Sequence, residues 1–281
     1  MRLTFTRTAT LLAALAALPL SAVADTIDYV TASDGQFGTV DMNTGAFHMI
    51  GTTPGAPMWG IADINGVIYG VNDSSQLVTI NTNTAAASLI GSTGVAFTVV
   101  AGSGNKLFGL DTSNRLYSIN LATGASTLIG STGIAATAGE SWANSLAGDG
   151  TYLYYTEELQ GSTNLASTLY RINETTGAAT TVGPTGIHDI AGSGYDNNTL
   201  YAFTTPFFSS QTVASIYTLN TSTGAATFDA KLDTTLGPVW GATDPSDMPE
   251  TGTWGFLLVS LVLLGGVQIV RPRWAAARSR G

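Results

Sequence analysis

The chain has 281 residues, no cysteine, two histidines and a formal net charge of −9. Without cysteine there is no disulfide, no thiol nucleophile and no cysteine-ligated zinc or iron–sulfur site, and two histidines exclude a multi-histidine metal site. The acidic balance argues against a nucleic-acid partner, because such binding relies on Lys and Arg. No cofactor is predicted, although this many carboxylates is compatible with weak Ca²⁺ binding.

The N-terminal residues predict a secretory signal peptide. Arg2 and Arg7 come before an apolar run over residues 11–20, and small residues follow that run. This order of a charged, an apolar and a small-residue segment is typical of an export signal. We predict a signal peptide over residues 1–24 that is cleaved after Ala24. The alternative is an uncleaved anchor.

A repeat occupies the middle of the chain. A stretch resembling Leu-Tyr-Ser-Ile-Asn-x-x-Thr-Gly-Ala occurs five times, and in most copies a second apolar segment ending in Ile-Gly or Val-Gly follows it. The threonine of its Thr-Gly-Ala element stands at Thr44, Thr84, Thr123, Thr176 and Thr223. The spacings of 40, 39, 53 and 47 residues are close to the period of propeller blades.

Each copy divides into four short strands. Alternating β-branched and aromatic residues predict the two outer strands, and Asn-x-x-Thr-Gly between them predicts a hairpin turn with glycine at positive φ. An upstream strand carries an aromatic residue in every copy: Tyr29, Tyr69, Phe108, Tyr154 and Tyr201. A short apolar innermost segment precedes that strand in four copies: 60–62, 99–101, 145–147 and 189–191. The Gly-Ser-Gly triplets around Ser103 and Ser193 are expected to occupy the same turn of two blades.

The two ends of the repeat region complement each other. The first copy lacks its innermost segment, and the run Trp240-Gly241-Ala242-Thr243 matches Trp59-Gly60-Ile61-Ala62 without a copy of its own. Pairing these ends within one blade would remove free sheet edges. We predict an all-β fold, a five-bladed β-propeller of four-stranded blades over residues 25–246, closed by pairing of the N- and C-terminal strands. An open β-solenoid is the alternative.

In period and strand order the copies resemble the WD-repeat and NHL superfamily of propellers. No Trp-Asp dipeptide is present, so the resemblance concerns the fold. It implies nothing about a ligand, because propellers of one architecture serve many functions.

The C-terminal residues predict a sorting signal. Residues 247–253 form a linker with a proline motif, and residues 254–270 form an apolar helix at the short limit for crossing a bilayer. Residues 271–281 form a basic tail, which is expected to stay in the cytoplasm.

This tail resembles the PEP-CTERM and IPTL-CTERM sorting signals of Gram-negative bacteria at Pro249, Glu250, Thr253 and Trp254. The resemblance implies export through the inner membrane, transient anchoring by the helix, processing by an exosortase-like enzyme, and delivery to the outer surface or extracellular matrix. Thr251 stands where a second proline is expected. The alternatives are an ordinary single-span anchor and a sortase pentapeptide over residues 248–252.

The body between these ends is strongly acidic and lacks known catalytic motifs. It carries 4 basic and 18 acidic residues between Asp25 and Met248, a net charge of −14. Such a charge repels anionic surfaces and nucleic acid. The body contains no phosphate loop, no His-Glu-x-x-His and no Gly-x-Ser-x-Gly.

One face of the propeller is predicted to hold the functional site. The loop entering each innermost strand and the loop joining the second and third strands open on the same face, where repeat proteins commonly bind ligands. The candidate ligand-binding residues on it are Trp59, Trp142, His188, Trp240, Phe207 and Phe208. Flat rings there could stack on sugar faces. The alternative is that Trp59 and Trp240 only fill the channel or pack between blades.

The sequence therefore predicts a secreted or surface-sorted, non-enzymatic propeller that binds or scaffolds an extracellular matrix component, either a polysaccharide or a surface protein. The alternative is an extracellular glycoside hydrolase with paired carboxylates in the funnel, for which Glu140 and Asp189 are the candidate catalytic residues. The regularity of the copies argues against catalysis, because an active site commonly forces departures from the pattern.

Overall fold

The structure is a computed structural model that describes residues 27–55, 57–135, 144–157, 166–205 and 213–244. The strands in these ranges are β1 Ile27–Ala32, β2 Gln36–Asp41, β3 Phe47–Thr52, β4 Met58–Ile64, β5 Val67–Asn72, β6 Gln76–Ile80, β7 Ala87–Ser92, β8 Phe97–Ser103, β9 Lys106–Asp111, β10 Arg115–Ile119, β11 Ser126–Ser131, β12 Asn144–Gly148, β13 Tyr152–Glu157, β14 Thr168–Asn173, β15 Ala179–Pro184, β16 Ile190–Asp196, β17 Thr199–Thr204, β18 Ser215–Leu219, β19 Ala226–Lys231 and β20 Val239–Thr243.

The predicted signal peptide, sorting motif, apolar helix and basic tail lie outside the described residues. Within those residues, no helix is long and apolar enough to cross a bilayer.

The strands form five antiparallel sheets of four strands, and each sheet is one blade. Blades 1 to 4 follow the chain, as β4–β7, β8–β11, β12–β15 and β16–β19. The fifth sheet, called the closing blade, has the order β20-β1-β2-β3. The predicted five-bladed propeller of four-stranded blades is confirmed.

The N- and C-terminal strands close the ring. Tyr29 of β1 lies opposite Thr243 of β20, and Val30 lies opposite Ala242. The innermost strand of each blade lies beside those of its two neighbours, and β20 takes its place between β16 and β4. The predicted closure is therefore confirmed, and the open solenoid is excluded.

Local turn chemistry explains the repeated Asn-x-x-Thr-Gly. In the hairpin between β10 and β11, the side chain of Asn120 accepts hydrogen bonds from the N–H groups of Ala122 at 2.9 Å and Thr123 at 3.1 Å. Thr123 Oγ1 accepts from the N–H of Ala125 at 3.3 Å, and Gly124 has a φ of 81°. The same bonds begin the other four outer hairpins, at Asp41, Asn81, Asn173 and Asn220. The predicted hairpins are confirmed.

The hydrophobic core consists of clusters between neighbouring blades. One cluster joins blades 1 and 2 around Phe97 and Tyr117, and another joins blades 2 and 3 around Phe108 and Tyr155. Three further clusters fill the remaining gaps, including the one between blade 4 and the closing blade around Phe203. Because each sheet packs on both faces, the core fixes the inner strands around the axis.

The innermost strand of blade 4 departs from the prediction by three residues. Ala101 of β8 lies opposite Phe108 as predicted, but the residue opposite the equivalent Tyr201 is Gly194. The predicted innermost segment 189–191 overlaps β16 at Ile190 and Ala191, but its alignment with the innermost segments of the other blades is wrong by three residues. The cause is three extra residues between the Gly-Ser-Gly triplet and the following aromatic residue in blade 4.

For the same reason the two Gly-Ser-Gly triplets do not occupy the same turn. Ser103 is the last residue of β8 and lies opposite Lys106, whereas Ser193 is in the middle of β16 opposite Ala202. The last residue of β16 is Asp196, which was not among the predicted site residues.

Candidate functional site

The five inner strands line a central channel and run in the same direction along it. We call the end where they begin the tryptophan end, because Trp59 and Trp240 lie there near the starts of β4 and β20. We call the end where they finish the carboxylate end, because Asp63, Asp196 and Asp244 lie there. The sequence predicted a site at the tryptophan end alone.

At the tryptophan end, Trp59 and Trp240 stack on each other. Their ring centroids are 5.0 Å apart, the ring planes differ by 4°, and both side chains are partly exposed. Each tryptophan sits at a β-bulge of its inner strand. Behind them the backbones of β4 and β20 approach closely, since a Cβ on Gly241 would lie 2.7 Å from Gly60 Cα. One face of each ring is therefore covered by the other ring, which leaves the opposite faces for packing or for a ligand.

The other residues predicted for this end fall into two groups. His188 is partly buried and comes two residues before β16. Trp142, Phe207 and Phe208 lie outside the described ranges. The structure therefore brings together two of the six candidate ligand-binding residues, and the others stay predictions.

Of the two candidate catalytic residues, only Asp189 lies within the described ranges. Asp189 is 1 % exposed and has a φ of 58°, an uncommon conformation for a residue other than glycine. Its carbonyl oxygen accepts a hydrogen bond from the N–H of Thr205 at 2.9 Å, which joins the start of β16 to the end of β17. Glu140 lies outside the described ranges. The hydrolase hypothesis therefore stays a prediction.

At the carboxylate end, the inner strands line a cavity of about 170 Å³. Its wall takes one residue from the same position of each inner strand: Asp63, Gly102, Gly148, Tyr195 and Asp244. The two glycines leave room, and the two aspartates make the wall acidic. A hydrogen bond from the N–H of Asp63 to Thr243 Oγ1 at 2.8 Å joins β4 to β20 beside the cavity.

Three aspartates from three strands meet next to this cavity, and we call them the aspartate triad. They are Asp28 in β1, Asp196 at the end of β16 and Asp244 directly after β20. One carboxylate oxygen from each lies within 4.8 Å of those of the other two. Asp28 is fully buried and Asp196 is 2 % exposed, whereas Asp244 is partly exposed and faces the cavity.

The triad is electrostatically unfavourable when all its members are ionised. Burial, followed by repulsion from Asp196 and Asp244, raises the pKa of Asp28 well above its usual range. Burial, followed by repulsion from Asp196, raises the pKa of Asp244 to about 7, and a hydrogen bond with Asp196 contributes to the same rise. Asp63 adds further repulsion. The triad is therefore a concentrated negative charge that only protons or a cation can neutralise.

The other four blades have an apolar residue at the position equivalent to Asp28. The residue there precedes the aromatic residue of the second strand and is Ile68, Leu107, Leu153 or Leu200, each at most 1 % exposed. Register confirms the equivalence, because Ile68 lies opposite Ile80 and Asp28 opposite Val40. The sequence contained this signal, since the five aromatic residues align and only one is preceded by a charged residue.

No family model matches the chain, and no curated protein matches it. Solved structures do match it. TolB from Acinetobacter baumannii is 14 % identical with a TM-score of 0.46, and 73 % of this chain covers 53 % of that one. BamB from Moraxella catarrhalis is 13 % identical with a TM-score of 0.34, and 74 % of this chain covers 59 % of that one.

A third match is PorZ, a bacterial surface component of the type-IX secretion system of Porphyromonas gingivalis. It is 15 % identical with a TM-score of 0.38, and 74 % of this chain covers 25 % of that one. The chain thus spans between a quarter and three-fifths of the length of these structures. All three TM-scores are below 0.5, so the fold assigned above rests on the strand pairing of this chain.

Proposed function

We propose that this chain is an exported, non-enzymatic β-propeller that is sorted to the cell surface and binds an extracellular polysaccharide at the tryptophan end. The observation that carries the proposal is the Trp59–Trp240 stack, which presents partly exposed indole rings at the mouth of the channel. Large aromatic rings supply contact area at low entropic cost, and their faces suit the apolar faces of sugar rings.

The composition of the body supports an exported role. It has no cysteine to oxidise, and its net charge of −14 favours solubility and discourages contact with anionic surfaces. The tail carries the proline motif and Trp254 before an apolar segment, on which an exosortase-like enzyme would act. The proposal therefore has two parts, delivery by the ends of the chain and binding by the body.

A single preparation tests both parts. The protein is expressed with its own ends in a Gram-negative host that sorts such tails, and the released form is purified. Its intact mass should lack residues 1–24 and the segment after about residue 249. A released or cell-bound species that retains the tail contradicts delivery by processing.

The released protein is then applied to a glycan array. Trp59→Ala and Trp240→Ala should each weaken binding about tenfold or more, because truncating a tryptophan anchor typically costs about 2 kcal/mol. Phe228→Ala is the matched control. This ring is 52 % exposed on the outer strand β19, far from the channel, and its loss should leave binding unchanged.

Two outcomes contradict the binding proposal. Binding that survives both tryptophan substitutions removes the tryptophan end as the site. Release of reducing sugar that is abolished by Asp189→Asn or Glu140→Gln assigns the protein to the glycoside hydrolases instead.

A further inference from the structure

The carboxylate of Asp28 is buried without a hydrogen-bond partner. Neither of its oxygens is hydrogen-bonded among the described residues, and Oδ1 of Asp196 also lacks a partner there. The Asp28 side chain reaches across the gap between two blades, because a Cβ on Gly194 of β16 would lie 3.0 Å from its Oδ2. Leaving a buried carboxylate unpaired is costly, so such a group in a native fold requires a compensating partner.

A proton alone does not satisfy this group. A protonated Asp28 would lose its charge, but a proton on one oxygen supplies no donor to the other oxygen, which has no hydrogen-bond partner among the described residues. A metal ion coordinated by the carboxylate compensates the charge and engages the oxygens at the same time. The unpaired oxygens therefore favour a cation over a proton.

The spacing of the triad fits a calcium ion. Ca²⁺ binds oxygen ligands at about 2.3–2.6 Å, so two ligands of one ion are at most about 5 Å apart. The three ligand oxygens of Asp28, Asp196 and Asp244 all lie within 4.8 Å of one another. Because the ligands are carboxylates, the site suits a hard cation rather than zinc or copper. Asp244 also faces the 170 Å³ cavity, through which water and the ion can enter.

We infer that Asp28, Asp196 and Asp244 form a Ca²⁺-binding site at the carboxylate end of the channel. The site is distinct from the tryptophan end and does not depend on the proposed polysaccharide binding. Its ligands come from β1, the first strand of the chain, from the end of β16, the innermost strand of blade 4, and from the residue directly after β20, the last strand. A bound ion would therefore join the two termini of the propeller body to blade 4, across the contact that closes the ring.

The test measures thermal unfolding of the full chain, purified in a mild detergent and stripped with a chelator. Adding Ca²⁺ at ten times its dissociation constant should raise the Tm of the wild-type protein by about 3–6 °C. Isothermal titration should give one site per chain. Mg²⁺ should raise the Tm less, because it requires a smaller octahedral shell.

Two substitutions form a matched pair. Each removes one negative charge, and each introduces a residue that the other blades have at the equivalent position. Asp28→Leu introduces the type of residue found at Leu107, Leu153 and Leu200. It should fold, keep the metal-free Tm or raise it, and lose the response to Ca²⁺. Asp41→Asn changes an exposed turn to the asparagine of the other four hairpins, and it should keep the full response.

Asp244→Asn is a second ligand variant, which keeps the experiment decisive if Asp28→Leu does not fold. It should weaken Ca²⁺ affinity at least tenfold. A wild-type Tm that does not respond to Ca²⁺, or an equal response in the ligand variants, overturns the site. An equal response to Mg²⁺ overturns its assignment to calcium.

Discussion

At the scale of single residues, Asp111 shows how a carboxylate can organise a turn. Its Oδ1 accepts the N–H groups of Ser113 and Arg115, both at 2.9 Å, and its Oδ2 accepts from Arg115 Nε at 2.8 Å and from the hydroxyl of Tyr117 at 3.2 Å. In blade 1 the side-chain oxygen of the neutral Asn72 accepts hydrogen bonds from the two equivalent backbone N–H groups. The turn therefore needs the side-chain oxygen, and the charge of Asp111 serves the contact with Arg115.

This charge makes the stability of the protein depend on pH. Burial opposes ionisation of Asp111, but hydrogen bonds from Arg115 and Ser113 outweigh it and lower the pKa of the carboxyl. A lowered native pKa stabilises the fold above the unfolded value of about 3.9, and the contribution is lost as pH falls through the native pKa.

Asp111→Asn should therefore destabilise the protein by about 1 kcal/mol at pH 7, a modest value because the Arg115 side chain is half exposed and screened by solvent. The difference in the free energy of unfolding between the variant and the wild type, measured by urea unfolding, should disappear at a pH below the native pKa of Asp111. In an Arg115→Gln background the substitution should cost less. A cost that does not change with pH would contradict the role of the charge.

At the scale of structural elements, the glycine repeated near the end of four of the five outer strands has a packing role; β19 has Ala230 at this position. A Cβ on Gly91 of β7 would collide with the carbonyl oxygen of Thr123, in the hairpin turn of the next blade. Gly130 and Gly183 stand in the same relation to Thr176 and Thr223. The Ile-Gly and Thr-Gly elements of the repeat are therefore two halves of one contact between blades.

Gly91→Ala should destabilise the protein by about 1–3 kcal/mol, because the added methyl must displace backbone rather than a flexible side chain. Gly70→Ala is the control. A Cβ on Gly70 of β5 would meet only side chains, at 3.4 Å, and the change should be neutral or stabilising by up to about 1 kcal/mol. Chemical unfolding of both variants checks the prediction, and equal costs for the two would argue against the contact between blades.

The strands and turns also show which features of the fold could be predicted from the sequence. Strand alternation and turns that resemble Asn-x-x-Thr-Gly are local signals repeated five times, so the blades and the ring closure were predictable. The pairing of Trp59 with Trp240 followed from their equivalent positions, but their mutual stacking did not. Alignment by the Gly-Ser-Gly triplets gave the wrong register for β16, because extra residues separate the triplet from its aromatic residue in one blade.

The aspartate triad was missed for a different reason. Asp28 breaks the apolar pattern and was visible in the aligned copies. Its partners were not visible, because Asp244 comes from the other end of the propeller region and Asp196 from the misaligned strand. Only the closed ring brings the three carboxylates together. A local pattern can indicate an unusual residue, whereas the partner of that residue depends on the whole topology.

At the scale of the whole molecule, the five-residue strand β20 completes the ring. This strand supplies Val239 and Ala242 to the cluster between blade 4 and the closing blade, and its loss would leave the inner edge of β1 unpaired. The exposed edge and the opened cluster would remove both hydrogen bonds and apolar burial from a fold whose total stability is expected to be only about 5–15 kcal/mol.

Two truncations separate the ring from its targeting tail. A chain ending after residue 246 keeps β20 and should unfold cooperatively at a Tm close to that of the full chain. A chain ending after residue 237 lacks β20 and should lose its cooperative thermal transition and its near-ultraviolet circular dichroism, since the core between two blades is then open. If the shorter chain kept a cooperative transition at the same Tm, the ring would not depend on its terminal strands, and the blades would have to be stable as an open array.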